Sequence, residues 1–242
     1  MAQSCETCPL QKRSMFKELT RDEIRFMNRF KVGELTVDPG TPILMEGSNS
    51  PQLYTVFDGM GLRHKSTPSG DRQVLNFIFP GDFIGLQAGI MGEMGHSVEA
   101  TTRMRLCVFD RSNVWTLFKS HPARAYDLTW IAAVEEHFMG ETLLTMGQRS
   151  AEAKIAWALL RIFQRGRALG LVRNDAMPLP YRQHDLADAL GLSLVHTNKT
   201  LARLRTRQLL NWSEGTLTVH DMKKLAEVAE AEIEPEMRRP IL

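Results

Sequence analysis

The segment QHDLADALGLSLVHTNKTLARLRTRQL, residues Gln183–Leu209, carries the pattern that decides the fold of the C-terminal part of this 242-residue chain. Apolar residues recur at helical spacing on both sides of Gly191, which permits a tight turn. The first helix is expected to leave His184, Asp185 and Asp188 in solvent. Ser193 stands where the second helix needs an N-cap. Two short helices joined in this way predict a helix-turn-helix, whose second helix reads the major groove of DNA.

The predicted second helix is basic on its outer face. Lys199, Arg203 and Arg207 follow one another at intervals of four residues and form one positive stripe, which suits a groove lined by phosphates. Amphipathic helices with arginines also occur as solvated surfaces, so this segment alone leaves both interpretations open. The residues expected to contact DNA are Ser193, Leu194, Val195, His196, Thr197, Asn198, Lys199 and Arg203.

The sequence after this helix favours DNA binding. Residues Leu210–Asp221, LNWSEGTLTVHD, predict two short strands that turn at Ser213–Gly215, and a hairpin behind a recognition helix is the wing of a winged helix. Residues 149–224 contain 13 Lys and Arg against 6 Asp and Glu, although the whole chain has a net charge of only +2. The C-terminal part is therefore the basic one, as expected of a DNA-binding domain.

The remaining sequence predicts an α+β protein with a sensor-like first half. Glycines separate short apolar runs in residues 31–118, a pattern typical of an antiparallel β-roll, or double-stranded jelly roll. Residues 119–148 predict a long helix whose apolar face exceeds what a small roll needs, so we expect it to form a homodimer. The expected interface residues are Leu128, Ile131, Phe138, Leu143 and Met146.

The expected division is an N-terminal cysteine-bearing arm at 1–30, the β-roll at 31–118, the dimerisation helix at 119–148, a winged helix-turn-helix at 149–228 and a tail at 229–242.

Composition and the N-terminus restrict the class of protein. The chain lacks an N-terminal apolar core of a signal peptide and any run of 18 apolar residues, so we expect a cytoplasmic protein without a membrane partner. Three cysteines in a reducing compartment favour metal or redox chemistry over a structural disulfide. A cupin-type metal enzyme is an alternative, but the roll lacks the His-x-His spacing that such a site takes from one strand. We therefore expect no enzyme activity.

The order of roll, long helix and winged helix-turn-helix resembles the CRP/FNR family of bacterial transcription regulators. The local matches are FPGDFIG at Phe79–Gly85, SAEAKIAWALL at Ser150–Leu160 and DLADALGLS at Asp185–Ser193. The resemblance covers nearly the whole chain. It implies a homodimer whose sensor domain controls binding to an inverted-repeat operator in double-stranded DNA, with RNA polymerase as a further partner.

Two places in the predicted roll concern its ligand. In family members that bind cyclic AMP, a glutamate follows the FIG turn and an Arg-Ser or Arg-Thr pair binds the phosphate. Here Leu86 and Gln87 follow the turn, and the aligned pair is His96-Ser97. Histidine lacks the permanent charge and the fixed fork of arginine, so we expect no cyclic nucleotide.

The three cysteines resemble the ligand set of the FNR branch, which implies an iron–sulfur cluster. Cys5 and Cys8 have the C-x2-C spacing, and Cys107 falls on the predicted last strand of the roll, where that branch has a cysteine. The third N-terminal cysteine of that branch is replaced here by Ser14. The fourth ligand of a 4Fe–4S cluster is then Ser14, Asp22, Glu23 or a small exogenous molecule, and a 3Fe–4S form is the alternative.

The sequence is also compatible with other chemistry at the cysteines. Cys5 and Cys8 also suit a zinc site or a redox-sensitive thiol pair, with Cys107 a small buried strand residue. Haem bound through a histidine is a further alternative. The signals that the resemblance implies are oxygen, nitric oxide or redox state.

The recognition helix departs from the FNR branch at the residues that read bases. The Glu-x-x-Ser-Arg pattern of that branch is replaced by Val195, Asn198 and Lys199, so the carboxylate acceptor is lost. Asn198 suits adenine and Lys199 still donates to guanine, whereas His196 and Thr197 are expected at phosphates. The half-site should therefore differ from TTGAT at the base pair that the glutamate reads.

Overall fold

The computed structural model describes residues 3–235 and 237–242; residues 1 and 2 of the expected arm and residue 236 of the expected tail lie outside this part. The α+β fold with a β-roll, a long helix and a winged helix-turn-helix is confirmed. The described chain forms two compact units. The first comprises residues 3–71, 75–135 and 238–242, and the second comprises Arg72–Val74 and Glu136–Met237.

Eight α-helices and eleven strands make up the described chain. The helices are α1 Arg21–Phe30, α2 Leu86–Met91, α3 Val114–Ser120, α4 Pro122–Gln148, α5 Ala151–Ala168, α6 Gln183–Leu190, α7 Leu194–Thr206 and α8 Met222–Val228. The strands are β1 Lys31–Val37, β2 Pro42–Leu44, β3 Gln52–Asp58, β4 Gly61–Ser66, β5 Arg72–Ile78, β6 Phe83–Ile84, β7 Ser97–Ala100, β8 Met104–Asp110, β9 Ala176–Pro178, β10 Leu210–Ser213 and β11 Thr216–Val219. Short 3₁₀ helices span Cys5–Thr7, Pro9–Lys12 and Arg111–Asn113.

The roll is built from two four-stranded sheets in the orders β1-β8-β3-β6 and β2-β7-β4-β5. Alternating apolar residues of both sheets fill its core, among them Val56, Val98 and Leu106, which are fully buried. The turn before β6 requires glycine, because Gly81 has φ 87° and an added Cβ would lie 2.1 Å from Cζ of Phe16. This contact also packs the N-terminal segment against the roll.

The N-terminal segment is folded against the roll. Helix α1 begins at a capping box formed by Thr20 and Glu23, and it buries Phe26, Met27 and Phe30. The end of the chain joins the same unit: Arg239 forms a parallel bridge with Phe16. Residues 238–242 of the expected tail are therefore part of the first unit.

The long helix is confirmed as α4, but its expected interface needs correction. Leu128 and Ile131 are 3% and 4% exposed and lie in the core of their own subunit, so their assignment to a dimer interface is wrong. Phe138 is half-buried and stacks on Trp157, with ring centroids 5.9 Å apart. Leu143 is exposed, and Met146 is half-buried. Further exposed apolar residues on α4 are Tyr126, Met139 and Leu144.

The winged helix-turn-helix agrees closely with its sequence pattern. Gly191 ends α6 with φ 63°, and the Ser193 hydroxyl accepts a hydrogen bond from the His196 N–H at the start of α7. Strands β10 and β11 form the predicted hairpin, and β9 adds a third strand that the sequence did not predict. The expectation for Asp185 is wrong. Its side chain is buried and accepts from the backbone N–H of Arg182 at 2.8 Å, which caps α6.

Candidate functional site

Cys5, Cys8 and Cys107 lie in one region of the first unit. Cys107 is on β8, Cys5 begins a 3₁₀ helix, and both pack beside the apolar cluster that contains Phe30 and Phe109. The N–H of Cys5 donates to Oδ1 of Asn28 at 2.8 Å, which fixes the cysteine segment against α1. Residues distant in sequence are thus held together by the fold.

A buried ion pair lies beside the thiols. Lys31 Nζ donates to Glu34 Oε1 at 2.6 Å, and their side chains are 6% and 17% exposed. The same oxygen accepts the N–H of Gln3 at 2.7 Å. Glu34 is the direct cross-strand partner of Cys107 in the β1–β8 pair. No local sequence pattern identifies Lys31 or Glu34; the register of the two strands is the signal that identifies Glu34.

Burial and neighbouring charges set the protonation of the thiols. Burial raises the pKa of Cys107 to about 11; nearby Lys31 lowers it, whereas Cys8, Cys5 and Glu34 raise it. The pKa of Cys5 is also raised, chiefly by burial. Both groups are therefore thiols at neutral pH, so metal binding there would release protons.

The spacing of the thiols distinguishes between types of metal site. In the described chain, residues 3–235 and 237–242, the Sγ atoms of Cys5, Cys8 and Cys107 do not all lie within 4.8 Å of one another. Ligands of a single tetrahedral ion meet at one centre, whereas the thiolates of a cluster bind different irons and stand further apart. The three thiols as they stand therefore do not form a closed site for a single zinc ion.

The expected oxygen ligands differ in their availability. Ser14 is exposed. Asp22 pairs with Arg25 on the surface. Glu23 caps α1 and binds Arg124 at 3.0 Å. The role of each as a ligand is still a prediction, but two of the three already have partners.

His96 is the residue that the sequence resemblance aligns with the phosphate-binding arginine. Burial, followed by the positive charge of Arg63, lowers its pKa to about 4, so the ring is neutral at neutral pH. The Arg63 guanidinium donates to Glu135 at 3.0 Å and to the carbonyl of Phe83 at 3.1 Å. Neither side chain therefore offers a free positive charge to a cyclic phosphate.

His96 should make folding sensitive to mild acid. The unfolded state gains a proton near pH 6.5 that the folded state excludes until about pH 4, so stability is complete above this window and falls as the pH decreases through it. The loss is at most about 3 kcal/mol. Urea unfolding across this window should give a flatter pH dependence for His96→Asn. Replacing the exposed His137 by Asn is the control, and parallel curves for the wild type and His96→Asn would contradict the prediction.

Most of the side chains that were predicted to contact DNA are exposed on the recognition helix. Ser193, Leu194, Val195, His196, Asn198, Lys199 and Arg203 are exposed. Thr197 lies on the inner face of the helix and is fully buried, so the prediction that it contacts a phosphate is wrong. Arg207 pairs with Glu152, which removes it from the expected positive stripe. A cleft between this helix and the wing adds two unpredicted candidates, Arg205 and Asn211.

Comparisons with known proteins agree with both units. A family model described as the Crp-like helix-turn-helix domain matches residues 153–228, and one described as the cyclic nucleotide-binding domain matches residues 34–121. The nitrogen fixation regulation protein FixK of Rhizobium meliloti is 31% identical over 180 residues, which are 72% of this chain and 76% of that protein. FixK of Bradyrhizobium diazoefficiens is 25% identical over 227 residues, 94% of each protein.

The structural comparison covers most of the chain. The structure of FixK2 from Bradyrhizobium japonicum aligns with a TM-score of 0.75 and 24% identity, covering 82% of this chain and 98% of that one. Across residues 3–235 and 237–242, no helix combines the length and the apolar character needed to cross a membrane.

Proposed function

Because the chain belongs to the CRP/FNR family of transcription regulators, we propose that it controls transcription in response to oxygen, nitric oxide or redox state through an iron–sulfur cluster. Cys5, Cys8 and Cys107 supply three ligands of a 4Fe–4S or 3Fe–4S cluster. The protein binds an inverted-repeat operator as a homodimer and acts with RNA polymerase.

The sensing proposal is supported by the placement of Cys5, from the N-terminal segment, and Cys107, on β8, against the same apolar cluster. The N–H of Cys5 binds Asn28 on α1, which holds the segment with Cys5 and Cys8 in place, so a cluster bound there would depend on the tertiary structure. When bound, an iron–sulfur cluster supplies chemistry that is sensitive to oxidants. Loss of the cluster would free the N-terminal segment from Cys107.

The chain's own residues make this region suitable for such a group. The buried ammonium of Lys31 lies close enough to Cys5 and Cys107 to favour their thiolate forms and to offset negative charge. The apolar side chains around Phe30 and Phe109 limit water beside the thiols. A single zinc ion is the second candidate, and it would require the three Sγ atoms to move closer together.

Cyclic nucleotide binding is not proposed, although the roll has the cyclic nucleotide-binding fold. The neutral His96 and the Arg63–Glu135 ion pair support this expectation. Titration with cyclic AMP, followed by calorimetry, should give no heat of binding. Saturable binding of cyclic AMP would contradict this expectation and indicate that the protein senses a cyclic nucleotide.

The proposed function is tested by anaerobic purification followed by an absorption spectrum and by assays of iron and acid-labile sulfide. We expect a brown protein with broad sulfur-to-iron absorption. A Soret band would indicate haem instead, and colourless protein with stoichiometric zinc would indicate the single-ion site. Colourless protein without metal would leave thiol oxidation as the sensing chemistry and contradict the cluster.

The recognition helix predicts a half-site other than TTGAT. Val195 is 64% exposed and contacts a thymine methyl but accepts no hydrogen bond, while Asn198 and Lys199 read neighbouring bases. The triple change Val195→Glu, Asn198→Ser, Lys199→Arg should shift selection from random DNA toward TTGAT, by about 1–3 kcal/mol for each altered base pair. Arg203→Ala is the matched control, since it should lower affinity with little change of sequence preference. Selection of TTGAT by the unmodified protein would contradict this account.

A further inference from the structure

We propose that the carboxylate of Glu34 is the fourth protein ligand of the iron–sulfur cluster, in place of the cysteine that Ser14 replaces. This inference rests on the proposed cluster at Cys5, Cys8 and Cys107. It assigns a ligand role to a residue on β1 that no sequence motif identifies.

The strand register carries the proposal. Cys107 has two direct cross-strand partners, Glu34 on β1 and Thr55 on β3. Directly opposed residues point to the same face of a sheet with their Cβ atoms about 5 Å apart, so these three side chains form a row. The Thr55 hydroxyl donates to the carbonyl of Leu242 and is occupied. Of the two cross-strand neighbours of Cys107, Glu34 is therefore the one whose side-chain oxygen can bind iron.

The hydrogen bonds of Glu34 leave one oxygen available. Lys31 Nζ and the Gln3 N–H both bind Oε1, at 2.6 and 2.7 Å. Neither of these donors uses Oε2. The carboxylate can thus stay anchored through Oε1 while Oε2 binds iron, and an anchored ligand needs little reordering.

The charges around Glu34 also suit this role. Glu34 lies opposite Cys107 in the β1–β8 pair and also binds the N–H of Gln3 in the segment that carries Cys5, which places its charge beside residues from two different segments. Three thiolates and a carboxylate would concentrate negative charge at a half-buried site, and the 6% exposed ammonium of Lys31 lies there to offset it. The alternatives are less favourable, because Ser14 is exposed and Glu23 holds Arg124.

The test compares the wild type with Glu34→Gln, Glu34→Ala and Glu34→Cys, all purified without oxygen. Iron and sulfide are counted, the clusters are examined by electron paramagnetic resonance, and the decay of the chromophore in air is timed. Gln and Ala should yield the signal of a three-iron cluster, or decay about tenfold faster than the wild type. Cys should keep four irons and slow the decay, which would show that a substitution at this position does not by itself prevent folding or cluster binding.

Glu6→Gln is the matched control, because Glu6 is an exposed acid directly after Cys5. It should behave like the wild type. If the wild type holds a cluster and Glu34→Gln and Glu34→Ala retain four irons with unchanged decay, the Glu34 assignment is overturned while the cluster stands. If the wild type binds neither iron nor sulfide, the proposed cluster fails, and this assignment fails with it.

Discussion

Replacing Cys107 by alanine should remove the chromophore from protein purified without oxygen and reduce bound iron and sulfide to background. Cys107 is the proposed ligand on the sheet, whereas Cys5 and Cys8 belong to one short segment. Without it, the two remaining thiols lack a fixed partner across the site. The side chain is half-buried, so its truncation should leave the fold intact. Absorption spectra and metal assays measure the loss.

Two further variants make this result specific. Thr36→Ala, at an exposed position of the adjoining strand β1, should keep the full chromophore. Ser14→Cys should keep or strengthen it by adding a thiolate to the N-terminal segment. A Cys107→Ala protein that remains brown with unchanged iron and sulfide would exclude Cys107 as a ligand.

Introducing charge at Leu143 and Leu144 should abolish dimerisation and with it tight operator binding. These residues are 69% and 48% exposed on α4, a degree of exposure that is unfavourable for leucine in a monomer. A two-fold dimer places two recognition helices on successive half-sites, so a monomer loses the second half-site. The double change to Glu should lower operator affinity by at least about 100-fold. Analytical ultracentrifugation and binding to a labelled operator measure both effects.

The control for the dimer is His137→Ala, an exposed polar position on the same helix. It should leave sedimentation and DNA binding unchanged. A Leu143→Glu, Leu144→Glu protein that still sediments as a dimer would move the interface elsewhere. An unmodified protein that is a strict monomer and still binds its operator tightly would contradict the dimer itself.

Local sequence alone determined the helix-turn-helix and the hairpin that follows it. Gly191 and Ser193 specify the end of one helix and the start of the next through backbone conformation and a single cap, and the hairpin follows from its turn residues. Such signals act over a few residues, so they can be recognised without the rest of the chain. The prediction for Thr197 was wrong because neighbouring residues of a helix can face either the solvent or the protein interior, and Thr197 faces the interior.

Only the tertiary structure decided which face of α4 is available and what surrounds the cysteines. The apolar pattern identified the helix, but the roll buries Leu128 and Ile131, while Leu143 remains exposed. The spacing of Cys5 and Cys8 suggested a ligand pair, yet their approach to Cys107 depends on the packing of α1. Glu34 became a neighbour of Cys107 through the register of β1 and β8, a pairing between residues far apart in the chain. Contacts of this kind depend on how distant segments pack together, which no local pattern specifies.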